Sequence, residues 1–323
     1  VTDGVANTIA QLVGTQLFNR ALNLTIGFPN DPTLDVTAQF NDANSKGLDL
    51  SGMDVDFVVE KSLKPTEPNT CAIKVYNLSP ASREKISGSQ SGGVQHALTV
   101  RLEAGYVGGV SQIYFAEARS AWTTSDSRGT YVTHIESTDT IARVTGVKRT
   151  RKPQPGELTG NIYRTMGPRV PLADAFRSIT AALGIGNGNL QTALANMHGS
   201  GLTAVNGSAL VGNGARRMTD LCRSAGLEWS IQDGNLQLIN IGATLSSTKA
   251  ILISEDTGME GSPSVDSQGA LSVKTRLIPG LSPGVLVSVQ SKFINGGYRV
   301  DKIRYIGSTR GKEWSAHFDA IKY

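Results

Sequence analysis

Residues 57–86 read FVVEKSLKPTEPNTCAIKVYNLSPASREKI. Leading into this stretch, Met53, Val55, Phe57 and Val59 alternate with Asp54, Asp56, Val58 and Glu60. A period of two is the mark of a strand with one buried face. Cys71, Ile73 and Val75 alternate in a second run, and Glu67-Pro68-Asn69 supplies turn residues between the two. Asn77-Leu78-Ser79-Pro80 ends the second strand. Ser79 can cap a short helix, with Pro80 at its first position, running to about Ile86.

The same pattern extends outward. Leu98, Val100 and Leu102 alternate, then Ile113 and Phe115, and residues 130–135 have strand composition. Short strands separated by turn signals predict a barrel or sandwich. Residues 148–156, KRTRKPQPG, read as a basic, Pro-rich linker. Beyond it Leu172, Ala175, Phe176, Ile179 and Leu183 share a helical face, with Pro171 near its start and Gly184 at its stop. Residues 198–214 read as a loose Gly/Ser-rich loop, and a second helix is predicted over 215–225 with Gly226 as its cap. Trp229 and Ile231, the turn Asp233-Gly234, and Leu236 and Leu238 predict a hairpin. From about residue 249 the strands resume. Leu271, Val273 and Thr275 form one face, Val285, Val287 and Val289 another, and Trp314, Ala316, Phe318 and Ala320 a last one. Tyr298 and Val300 differ in parity from Ile303 and Tyr305, which predicts a bulge near Asp301. The expected organisation is an N-terminal amphipathic helix over 1–20, a β domain over 21–148, a mixed α/β module over 149–248 and a second β domain over 249–323.

Composition bounds the function. The chain of 323 residues is long enough for two or three domains. Charged residues make up 18%, against roughly a quarter in an average domain, and there are 36 glycines. Low charge suits a protein that buries much of its surface against partners. A net charge of +4 is too small to mark a dedicated nucleic-acid binder. Cys71 and Cys222, far apart in sequence, read as two buried free thiols of a protein made in a reducing compartment. No stretch is long and apolar enough to span a membrane, and residues 1–20 do not read as a signal peptide.

Signals for catalysis or cofactors are missing. His96, His134, His198 and His317 have no neighbours at metal-ligand spacing, and there is no CxxC or HExxH. Gly184, Gly186 and Gly188 follow a helix, whereas a dinucleotide fingerprint follows a strand. The 27 acidic residues offer no pair that spacing alone selects as glycosidase carboxylates. The run Lys148-Arg149-Thr150-Arg151-Lys152 lacks interleaved aromatics and reads as a solvated linker. No catalytic residue, metal or cofactor is expected.

The quoted stretch resembles baseplate hub proteins of contractile-tailed phages. In that family a strand, a turn ending in Pro-Asn and a strand ending in Tyr-Asn-Leu-Ser lead into a short helix, as at Pro68-Asn69 and Tyr76 to Ser79 here. MTDLCRSAGLEWSIQDGNLQL, residues 218–238, resembles the family's helix and hairpin. LIPGLSPGVLVSV, residues 277–289, with NGGYRVDKIRYIGSTRGKEW, residues 295–314, resembles its C-terminal domain, departing at Ser308, where the family often carries Asp. The resemblance implies two tube-type β-barrels flanking a mixed helix-hairpin domain, in a homotrimer whose six barrels form a ring. Such a ring adapts a hexameric tail tube to a trimeric central spike. The implied partners are the tail tube protein, the spike protein, other baseplate proteins, and DNA and a tape-measure protein in the central channel. The implied place is the virion tail baseplate, after synthesis in the host bacterial cytoplasm. On this reading the subunit contacts fall on Met53, Val55, Phe57, Val59, Tyr298, Val300, Ile303 and Tyr305. Two alternatives stand beside it: the hub of a headless phage-derived injection particle, and a tail-associated peptidoglycan hydrolase.

Overall fold

The computed structural model describes residues 19–27, 47–87, 98–125, 129–139, 160–168, 170–195, 203–204, 207–267 and 269–323. The helix expected before residue 19, the linker at 148–156, His96 and His198 lie outside them.

In chain order the first strands are β1 (Arg20–Gly27), β2 (Leu48–Asp49), β3 (Asp54–Ser62) and β4 (Thr70–Tyr76). Helix α1 (Pro80–Ser87) precedes β5 (Thr99–Tyr106), β6 (Gly109–Ser125) and β7 (Tyr131–Thr138). Then come β8 (Asn161–Met166), β9 (Val170–Pro171), α2 (Leu172–Leu183) and α3 (Leu190–Ala195). They are followed by β10 (Thr203–Ala204), β11 (Ser208–Asn213), α4 (Gly214–Ser224), β12 (Leu227–Gln232) and β13 (Asn235–Asn240). The C-terminal strands are β14 (Ala250–Ile253), β15 (Ser264–Val265), β16 (Leu271–Arg276), β17 (Leu286–Gln290), β18 (Asn295–Ser308) and β19 (Trp314–Lys322). The protein is mostly β, with few helices. It divides into two compact units: the described residues of Val1–Lys61, Asn69–Thr138 and Ser246–Tyr323, and those of Ser62–Pro68 and Asp139–Leu245.

The first unit is built on one 13-stranded sheet in the order β15-β16-β19-β18-β3-β4-β7-β6-β5-β1-β2, with β17 on β18 and β14 on β17. Thus the strands of both β segments belong to a single sheet, and no closed barrel is formed among the described residues. β6 serves two partners. Its first part pairs with β5 and its second with β7, with a register shift between Ala118 and Ser120. The alternation in sequence becomes an inward face. Val55, Phe57 and Val59 of β3, Ile73 of β4, Ile135 of β7, and Val300, Ile303 and Tyr305 of β18 share one core. The bulge expected near Asp301 is present, as a register shift between Val300 and Lys302 opposite β19. Ser79 caps α1, accepting a hydrogen bond from the Ser82 amide at 3.2 Å.

β3 and β18 meet along a seam between the two β segments. Thr309 N–H donates to the Val55 carbonyl at 2.9 Å, and Val55 N–H donates to Thr309 Oγ1 at 2.9 Å. Further along, Arg304 pairs with Glu60 at 3.4 Å. Residue numbers rise on one strand as they fall on the other, so the pairing is antiparallel. Phe57 lies against Gly307, where a β-carbon would fall inside its ring. It meets Trp314 edge-on, at 5.5 Å between centroids and 76° between planes. The Trp314 indole N–H donates to the Gly105 carbonyl at 3.2 Å, which ties β19 to β5. An aromatic ring covering a strand glycine fills the space the missing side chain leaves.

The second unit has its own core, including Phe176, Ile179, Leu183, Met218, Cys222, Trp229 and Leu236. Gly184 ends α2 in the left-handed region, at φ 68°, its amide reaching back to the Ala181 and Thr180 carbonyls. Asn213 caps α4 by accepting from the Arg216 amide at 3.0 Å. Asp233 and Gly234, at φ 53° and 75°, form the tight turn of the β12–β13 hairpin. The Trp229 indole donates to Thr219 Oγ1 at 3.1 Å, fixing the hairpin to α4. One expectation is corrected here. Part of the stretch read as a loose loop is β11, which pairs with β8 over six residues and buries Leu210. Its Gly and Ser content hid the strand, whose order comes from the ladder β8 provides.

The seam makes a stability prediction. Gly307→Val should cost about 1–3 kcal/mol by overpacking, and Phe57→Ala about 3–5 kcal/mol by leaving a cavity, read as shifts in the urea midpoint followed by circular dichroism. Wild-type midpoints for both would mean that the ring does not hold the seam.

Candidate functional site

The residues expected at a subunit contact lie together, and they lie inside. Val55, Phe57, Val59, Tyr298, Val300, Ile303 and Tyr305 are all buried in the core of the first unit, and Met53 is half-buried against it. The Tyr305 hydroxyl donates to the Leu281 carbonyl. Both edges of β3 are occupied within the chain, by β4 and β18. The outward residues of the seam are polar. Arg310 pairs with Asp54, Arg304 with Glu60, and the Tyr76 hydroxyl donates to Asp56 at 2.7 Å. That hydrogen bond, with burial and the Asp56 charge, pushes the Tyr76 phenol up to about 12. Exposed pairs of this kind contribute about 0–1 kcal/mol each.

Beside the seam lies an open pocket of about 530 Å³, lined by residues of β1, β5, β16 and β19, of the turn before β19, and by Glu260 of the loop between β14 and β15. Arg20 is fixed at its wall. Its guanidinium donates to the carbonyls of Ser308, Gly311 and Lys312 and lies 5.5 Å from the Trp314 ring. Across the pocket Lys274 pairs with Glu260 at 3.1 Å. Arg276, Lys312 and Glu313 are exposed, and their side chains make no ion pair or hydrogen bond among the described residues. Tyr106 is buried at the pocket, and burial pushes its phenol up to about 12. Sequence reasoning missed this pocket, because its lining comes from separate segments of the chain, at Arg20, Tyr106, Glu260, Lys274 and Arg276, and Lys312–Ser315, and follows no motif.

Other features are structural. Trp122 and His134 stack across β6 and β7 at 5.0 Å, and Arg83 covers the Tyr131 ring at 3.6 Å. Burial, then the nearby Lys74 charge, lowers the His134 pKa. For His317, burial, then Lys274 and Arg304, do the same. Cys71 and Cys222 are free and buried, as the sequence implied. Among the described residues no group of His, Cys, Asp and Glu could hold a metal ion, and no helix is long and apolar enough to cross a membrane.

No protein-family model and no curated protein matches the chain. Solved structures do. The 43 kDa tail protein of prophage MuSo2 from Shewanella oneidensis superposes with a TM-score of 0.55 at 9% identity, over 94% of this chain and 97% of that one. A tail protein from Neisseria meningitidis MC58 gives 0.56 at 10% identity, over 94% and 96%. A chain of the Francisella PdpA-VgrG complex gives 0.51 at 7% identity, over 95% of this chain and 58% of that one. At these identities the likeness is one of fold, shared with two tail proteins and a chain of a VgrG complex.

The buried phenol gives a pH prediction. The Tyr106 pKa is raised in the folded state, from near 10 to about 12, so its contribution is complete below pH 10 and is lost as pH rises through 12. Tyr106→Phe should therefore reduce the fall in stability between about pH 10 and 12, measured by urea unfolding across that range. An unchanged alkaline slope would show that this hydroxyl is not held in a desolvated place.

Proposed function

We propose that the chain is a structural component of a phage tail: the baseplate hub that joins the hexameric tail tube to the trimeric central spike. The observation that carries this reading is the likeness of fold, along nearly the whole chain, to two phage tail proteins. The single sheet supports it further, because each chain offers two β segments held in one compact unit. In the proposed assembly each segment completes a tube-type barrel. Three chains then place six barrels in a ring, which a six-fold tube and a three-fold spike can both meet. The other partners are further baseplate proteins, with DNA and a tape-measure protein in the channel. The role is mechanical, and no catalytic step is assigned to it.

The inward residues of β3 and β18 are taken up by the chain's own core, so the subunit contact we assign to these strands uses their outward side chains, Lys302 and Arg304 among them. The likeness to a chain of the Francisella complex extends the fold beyond the two tail proteins. It supports a second setting for the same architecture, a headless phage-derived injection particle, which electron microscopy of purified particles separates from a phage by the presence of a filled head.

The hub reading predicts that a tagged chain co-purifies with the tube and spike proteins encoded beside it. Lys302→Glu combined with Arg304→Glu should leave the circular dichroism spectrum unchanged and abolish that co-purification. Normal tails from the double variant would remove β18 from the contact, and failure of the wild-type chain to capture either partner would remove the hub.

A further inference from the structure

The pocket beside the seam has a charge pattern that the mechanical role does not use. Four cations, Arg20, Lys274, Arg276 and Lys312, face two carboxylates, Glu260 and Glu313. One cation is neutralised locally, by the Lys274–Glu260 pair. Arg20 spends three hydrogen bonds on backbone carbonyls, which fixes the guanidinium and leaves part of its five-donor fork open. Arg276 and Lys312 have no side-chain partner among the described residues. Trp314 and Tyr106, both buried, also line the pocket.

We propose that this pocket binds an acidic peptide segment of a protein partner, whose carboxylates pair with Arg276 and Lys312 while Arg20 holds the far wall. The volume, about 530 Å³, accommodates a few side chains. Its polar lining fits a charged segment better than an apolar small molecule, and clustered Arg and Lys are a recurrent means of recognising acidic motifs. Nucleic acid fits less well, because Trp314, at 5% exposure, offers no face on which a base could stack. Because Arg20 and Tyr106 come from one β segment and Arg276 and Trp314 from the other, the pocket exists only when the seam is closed. The proposal does not rest on the hub reading, since it is tested on the isolated chain.

The experiment is fluorescence anisotropy of labelled hexaglutamate titrated with the full chain at low salt. Binding should weaken at least tenfold in Arg276→Glu and in Lys312→Glu and should fall as salt rises. Glu313→Lys should tighten it while leaving the circular dichroism spectrum unchanged. Lys322→Glu, at the other end of β19, should leave it unchanged. No binding by the wild-type chain, equal binding by the Arg276 and Lys312 variants, or stronger competition by inorganic phosphate or duplex DNA than by unlabelled hexaglutamate would overturn the proposal.

Discussion

Val55 and Thr309, 254 positions apart, exchange two hydrogen bonds, and the first unit depends on the strand pairing to which they belong. Closing so long a loop is opposed by chain entropy, though the cost grows only with the logarithm of its length. What offsets it is local. β3 and β18 each bury an apolar face in one core, and Phe57 fills the space over Gly307 while touching Trp314. The second unit can occupy much of the intervening chain because it has a separate core of its own. Sheets built from such distant pairings fold slowly in general.

The seam also sets what the surface can do. It packs the inward residues of β3 and β18 into the chain's own core and turns the Arg304–Glu60 and Arg310–Asp54 pairs outward. By bringing β1 and β5 beside β16 and β19 it assembles the basic pocket. In the assembly we propose, a chain whose two β segments are held in one unit would present both to the ring as a fixed pair.

Much of the fold was legible because its signals are local. The alternation at 53–59 and 71–75, Ser79 before Pro80, Gly184 after α2, the Asp233-Gly234 turn and the parity change at Asp301 each report on neighbours within a few residues. β11 was not legible, since its Gly and Ser content lacks a clear alternation and its order comes from β8. α3, six residues long, is too short for a helical period to be read with assurance. Nor does periodicity name a strand's neighbours. It placed Val55, Phe57, Ile303 and Tyr305 on buried faces, but whether the partner strand belongs to the same chain or another is a matter of pairing. The pocket was illegible for a related reason: Arg20, Arg276 and Lys312 each look like solvated charges until the sheet brings them together.

The mass of the purified chain in solution, measured by light scattering over a dilution series, tests the three-fold account most directly. The account predicts a particle of three chains that persists on dilution. A stable dimer, or a monomer that persists even when the spike protein is added, would contradict it.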